Sequence, residues 1–249
     1  MTAAAMVRPL RPVLPFLGLI ALWWAIKDGL DVSDRLLASP PAAWAGFVHL
    51  ATHGILAEYA SASLKTIGIA AAISFGVGAN RWAARALEGT LRFLQGISGI
   101  AWLPLAILWF GFTDTTSLVV VVYTLIVPVV FNTMTGVRTI PESYVLALRS
   151  MGAGWWRIGR DVYLPGALPS IVTGMRLGMG YGWRALIAAE MLVRQGGLGD
   201  LIFGARTFNQ IDRIMVGMVC IGALYILVDR LLVQPIETMT LARWGMLRS

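Results

Sequence analysis

Residues 141–169 read PESYVLALRSMGAGWWRIGRDVYLPGALP, a polar, arginine-bearing insert set between two long apolar segments that cannot be water-soluble helices. Pro141 and Glu142 suit a first helical turn, Gly152 and Gly154 break the run, and Pro165 and Pro169 are expected to end a second helix. A helix, a glycine turn and another helix between spans make a docking element. The rest of the chain reads as the apparatus that holds this element at a membrane surface.

Composition sets that expectation. The 249 residues are 57% hydrophobic and 13% charged, with a mean hydropathy of +0.73, whereas soluble domains carry about 25% charged residues. A span needs roughly 20 apolar residues, so the length predicts about six spans in one all-α transmembrane domain, residues 1–249, with no separate soluble domain. The single cysteine, Cys220, excludes an intrachain disulfide framework. A formal charge of +7 could point to nucleic acid, but the basic residues are scattered between apolar runs and form no continuous tract with aromatic platforms. The expected partner is lipid.

Taken in order, residues 13–26 follow Arg8 and Arg11 and read as an uncleaved first span, because Lys27-Asp28-Gly29 offers no small-residue cleavage site. Trp44, Phe47, Val48, Ala51 and Ile55 then recur at helical spacing, as on an amphipathic helix lying at the outer interface. His49 and His53 sit four apart there without a third ligand, and two interfacial histidines are the simpler reading. Further spans are expected over residues 62–79, 91–111, 118–135, 170–190 and 214–233, with residues 194–213 as a polar external loop and a basic tail at Arg243 and Arg248.

Several residues inside these spans are candidates for a translocation path. Pro104, beside Trp102, and Pro128, followed by Asn132, each remove a backbone hydrogen bond at lipid depth, which is tolerated where a neighbouring helix or a water-filled path satisfies the freed carbonyl. A packing kink is the alternative. Arg184 and Glu190 are ionisable residues in a span, where such groups usually face a cavity or another charge; six residues apart, about 240° around a helix, they do not share a face. Gly174, Gly178 and Gly182 form a small-residue stripe that permits close helix packing, at the core and near a dimer axis. Arg176 lies near enough to one surface to snorkel.

Charge asymmetry orients the whole. With both termini inside, the inner side holds Arg8, Arg11, Arg81, Arg85, Arg92, Arg138, Arg149, Arg157, Arg160, Arg230, Arg243 and Arg248, against Lys27, Arg35, Lys65, Arg194, Arg206 and Arg213 outside. The insert at residues 141–169 falls on the inner side.

The insert also resembles the "EAA" coupling loop of bacterial ATP-binding-cassette importer permeases, which runs Glu-Ala-Ala, three residues, Gly, nine residues, Ile-x-Leu-Pro. Gly152 holds the glycine place, and Val162, Leu164 and Pro165 follow at the matching spacing; Leu146, Ala147 and Leu148 stand where the triplet would be, so its acidic residue is missing. WLPLAILWFG at residues 102–111, VPVVFNTMTGVR at 127–138, GWRALIAAEML at 182–192 and Gly196-Gly197-Leu198-Gly199 resemble the sulfonate, taurine and nitrate branch of that family.

The resemblance implies the type I importer permease fold and a homodimer in the bacterial inner membrane. It also implies two copies of a separate cytoplasmic ATPase that binds ATP and Mg, and a periplasmic binding protein that delivers substrate. Leu146, Ala147, Arg149, Ser150, Gly152 and Ala153 are then the candidate coupling residues. The substrate stays open among sulfonates, taurine, nitrate, bicarbonate, aromatic carboxylates and vitamin precursors.

No catalytic role is expected of the chain itself. Its two lysines, Lys27 and Lys65, are not preceded by glycine and cannot complete a Walker A loop. Its two histidines and lone cysteine suggest no metal centre and no nucleophile with a base. An ion-coupled transporter, which would use intramembrane carboxylates and usually an internal repeat, is the main rival, with Glu190 its only candidate.

Overall fold

The computed structural model describes residues 14–31, 33–34 and 36–243, with side chains from residue 18 to residue 238. Arg8, Arg11, Arg35 and Arg248, the start of the first span at Val13, and the side chain of Arg243 lie outside the described residues. Every regular element among the described residues is helical. The chain forms α1 (Leu14–Gly29), α2 (Pro40–Thr52), α3 (Ile55–Gly78) and α4 (Arg81–Leu94), then a 3-10 turn at Gly99–Trp102 that enters α5 (Leu103–Phe110). There follow α6 (Asp114–Arg138), α7 (Glu142–Ser150) and α8 (Trp155–Ile158), a π-turn at Gly159–Tyr163, and α9 (Leu164–Val193). Last come α10 (Leu198–Thr207), α11 (Ile211–Val228), a second π-turn at Asp229–Val233, and α12 (Gln234–Arg243).

Three stretches are long and apolar enough to cross a membrane: Ile55–Gly78, Asp114–Arg138 and Ile211–Thr238. A fourth would be the pair Arg81–Leu94 and Gly99–Phe110, bent by 83° at its break. The 30-residue α9 has the length, but Arg176, Arg184 and Glu190 interrupt its apolar run.

The core is built on α6 and α9. Lipid does not drive apolar helices together, so close approach of small residues and dispersion must do so. A Cβ added at Gly174 would stand 2.9 Å from the Pro128 carbonyl oxygen; at Gly178, 2.9 Å from that of Leu125; and at Gly182, 2.6 Å from the Leu125 side chain. The glycine stripe therefore meshes with α6 of the same chain. Around this pair Ile67 and Ala70 of α3, Val121 and Leu125 of α6, Met179, Trp183 and Leu186 of α9 and Val228 of α11 form one buried cluster.

Several expectations fail here. The third span is no continuous helix over residues 91–111, because Gly96, Ser98 and Gly99 stop α4 and turn the chain. The Tyr123 hydroxyl donates to the carbonyls of Leu94 (2.5 Å) and Ile97 (3.1 Å) and so satisfies groups freed at the break. Pro104 accordingly lies in the first turn of α5, where its missing N–H costs nothing, and is no mid-span kink. Ile55 belongs to α3 rather than to the interfacial helix, since Gly54 at φ +72° ends α2.

Secondly, Pro165 and Pro169 do not end the helix after the insert: Pro165 occupies the first turn of α9 and Pro169 lies within it, directly continuous with the π-turn. The expected polar loop at residues 194–213 contains α10, whose Leu198, Gly199, Leu201 and Ala205 are buried. The tail, expected only to be short and basic, begins as helix, α12.

Candidate coupling site

The insert's first helix ends as its sequence predicts. Gly152 adopts φ +75°, its N–H donates to the Arg149 carbonyl at 2.9 Å, and the Ala153 N–H donates to the Leu148 carbonyl at 3.0 Å. These two bonds are the Schellman pair, which requires a left-handed residue at the Gly152 position. No atom lies within 4 Å of a Cβ built there, so the demand for glycine comes from the backbone alone.

One face of α7 holds to the body and the other is bare. Val145 is buried, whereas Tyr144, Leu146, Ala147, Arg149 and Ser150 are exposed and Ala153 is half-buried. Met151 and Trp156 are 82% and 83% exposed. The Arg149 guanidinium stacks over Trp155 at 4.1 Å, and Ser150 donates back to the Ala147 carbonyl at 2.8 Å. Exposed aromatic, methionine and arginine side chains on a rigid helix are the composition of a protein interface.

Two arginine contacts fix this surface to the bundle. Arg81, at the start of α4, lies between the rings of Trp82 (4.2 Å) and Tyr163 (4.3 Å), and so ties α4 to the π-turn. Glu88, nearly buried on α4, receives Arg92 at 3.1 Å and Arg138, from the end of α6, at 2.8 Å. The two gaps flanking α7, to α6 and to α9, are thus both braced by α4.

The candidate path residues do not converge. Asn132 donates to the Pro128 carbonyl at 2.8 Å, within its own helix. Arg184 is exposed, donates to the Gly180 carbonyl at 3.0 Å and lies over Tyr181 at 5.1 Å. Trp102 packs on Tyr123 at 5.7 Å, and its indole N–H is buried with no acceptor among the described residues. Pro104 is exposed. Arg176 pairs with Asp229 (3.8 Å) and with Glu237, joining α9 to the end of the last span.

Glu190 is the centre of a latch. Its Oε2 accepts from the Ser63 hydroxyl at 3.0 Å and from the Gly199 N–H at 2.9 Å, while the Leu198 N–H donates to the Ser63 oxygen at 2.9 Å. The Gly196-Gly197-Leu198-Gly199 stretch thereby wraps the carboxylate and joins α3, α9 and α10. This role of Ser63, and the clamp at Arg81, went unread in the sequence; the glycines after Glu190 and the Asn80 cap before Arg81 were the available signals.

A family model described as "Binding-protein-dependent transport system inner membrane component" matches residues 66–233, the segment from α3 to the second π-turn. The chain belongs to that family. Its relatives include the taurine transport system permease protein of Escherichia coli, 28% identical over 224 residues that cover 85% of this chain and 82% of that one. The bicarbonate transport system permease protein of Synechocystis is 30% identical over 243 residues, covering 89% and 85%. The nitrate import permease protein of the same organism is 30% identical over 178 residues, covering 69% and 65%. The chain is thus a membrane transport component, and its helices are those of a multi-pass inner-membrane protein.

Within this family setting Gly152 is the sharpest local test. Gly152→Val forces a β-branched residue into the left-handed region, at a cost of about 1–2 kcal/mol or more. We expect α7 to lose its fixed angle and transport to fall about tenfold, with the amount of chain in the membrane unchanged by immunoblot. Full transport by the variant contradicts the assignment.

Proposed function

We propose that the chain is a six-span permease domain of an ATP-driven importer. It works as a homodimer with two copies of a cytoplasmic ATPase, which binds the ATP and Mg, and a periplasmic binding protein. Both chain ends and the 141–169 insert lie on the cytoplasmic side. The observation that carries this reading is the exposed, aromatic-rich face of α7 and α8, in which α7 ends at the Gly152 turn and α8 runs on into the 30-residue α9, in a member of the binding-protein-dependent family.

Helices of this kind seat in partner clefts. Closure of the ATPase dimer would displace α7, and because α8, the π-turn and α9 are one helical run, that displacement passes to the core helix that meshes with α6. Rigid-body rocking of packed helices then alternates access. The cargo is a small solute bearing an oxyanion group: the relatives are named for taurine, nitrate and bicarbonate, which share one.

The test is uptake into proteoliposomes containing the chain and its ATPase, with binding protein and each of these solutes outside and ATP on the ATPase side. ATP-dependent accumulation of one of them is expected. Met151→Asp, on the fully bared end of α7, should weaken ATPase association by about thirtyfold, the equivalent of one interface hot spot of about 2 kcal/mol. Accumulation driven by an ion gradient without ATP contradicts the proposal.

A further inference from the structure

The body-facing side of α7 borders a cavity, which it shares at Leu146 and Arg149 with the candidate coupling residues. It measures about 330 Å³ and is lined by Arg81, Arg85, Arg138 and Arg149, with Glu88 and Glu142 as its acids. Glu88 is already engaged by Arg92 and Arg138. Arg81 and Arg149 are stacked on aromatic rings, which leaves their N–H edges free of any carboxylate among the described residues. Arg85 is exposed and has no partner among them. Three guanidinium groups from two helices therefore face one hole in which Glu142 is the one carboxylate not already paired, an excess of positive charge.

A second cavity of about 560 Å³ adjoins it, sharing Arg81, Trp82 and Tyr163 as a common wall. Its other walls are mainly apolar and aromatic, including Trp155, Leu164, Ala167 and Ile171. A basic cavity opening beside an apolar one selects a molecule with an anionic head and a hydrocarbon tail. Tyr144 and Met151, on the bare face of α7, line neither cavity, while Leu146 and Arg149 line the basic one and Trp156 the apolar one, so a lipid held here would lie against the edge of the coupling surface. Basic clusters between helices on the cytoplasmic side of a membrane commonly hold anionic lipid headgroups.

We propose that an anionic phospholipid of the inner leaflet binds here. Its phosphate lies among Arg81, Arg85 and Arg149, and one acyl chain runs along Leu164 and Ile171. The lipid bridges α4 to α7 and holds the coupling helix at its working angle, so coupling depends on anionic lipid. This rests on the reading of residues 141–169 as cytoplasmic and ATPase-bound.

The test reconstitutes the complex of chain and ATPase in bilayers of equal parts phosphatidylcholine and phosphatidylglycerol, re-extracts it, and quantifies retained phosphatidylglycerol and ATPase copies in the same sample. Arg85→Gln should lower retained phosphatidylglycerol about fivefold, the worth of one arginine at an anionic surface. Arg85→Lys should retain most of it, and Arg206→Gln, at the opposite end of the bundle, all of it. Equal retention by Arg85→Gln and the unaltered chain overturns the proposal. So does rescue of ATPase coupling in pure phosphatidylcholine by inorganic phosphate, which would make the ligand a soluble anion. Loss of the lipid when the ATPase binds would assign the site to an acidic side chain of the partner and also overturn it. Absence of ATPase with lipid retained would instead strike the importer reading and leave the lipid site standing.

Discussion

Replacing Gly174 by leucine should abolish the stably folded chain or lower its thermal midpoint sharply, while the same replacement at Gly68 should leave the midpoint unchanged or raise it. Both glycines are in the middle of long helices, and helix propensity alone favours leucine at either by somewhat under 1 kcal/mol. Their surroundings decide the sign. At Gly174 a Cβ would meet Asn132 Cβ at 2.7 Å, the Pro128 oxygen at 2.9 Å and Val129 Cα at 3.1 Å, two of them backbone atoms that cannot rotate away. At Gly68 nothing lies within 4 Å. Overpacking a close contact costs about 1–3 kcal/mol, and forcing α9 off α6 over three turns should reach or exceed the upper value. For a chain of this size each kcal/mol moves the midpoint by roughly 2–4 °C. Thermal unfolding of the detergent-solubilised variants reads the difference directly, and equal shifts at the two positions would show that the α6–α9 mesh is not what holds the core.

Glu190→Ala should destabilise the chain by about 2–4 kcal/mol, and Glu190→Gln by only about 1 kcal/mol with transport retained. Both hydrogen bonds to the carboxylate arrive at one oxygen, from the Ser63 hydroxyl and the Gly199 N–H. Alanine leaves two buried donors without an acceptor, each worth about 1–3 kcal/mol. Glutamine keeps the oxygen and sacrifices only the charge. A proton- or ion-coupled transporter would behave in the opposite way, because removing the charge would end coupling whatever the stability. Uptake and thermal midpoint measured together on the two variants separate a structural latch from a titrating carboxylate; a stable, inactive Glu190→Gln would favour the latter.

Much of the coupling segment was legible because its signals are local. Glu142 in a first turn, a glycine where the cap needs a left-handed residue and a run of nine residues to Val162 specify α7 and its end without reference to the rest of the chain. The helix after it was misjudged for a related reason: Pro165 and Pro169 read as terminators, but the π-turn at Gly159–Tyr163 carries the helical run past Pro165, and Pro169 lies within α9. The broken third span was hidden because residues 91–111 are apolar enough to span, and the device that permits the break, Tyr123 donating to Leu94 and Ile97, comes from another helix. Long-range pairings were the general blind spot. Spacing showed that Gly174, Gly178 and Gly182 share a face but could not say that α6 fills it. Glu190 was visible as an ionisable residue in a span, while its partners stand 127 residues before it at Ser63 and 9 residues after it at Gly199.

The direct test of the central claim is the composition of the complex recovered from membranes through a tag on this chain, weighed intact by native mass spectrometry. A particle with two copies of the chain and two ATPase subunits, reduced to the chain without ATPase by Met151→Asp, is the predicted result. Recovery of the unaltered chain without any ATPase across several mild detergents would contradict it.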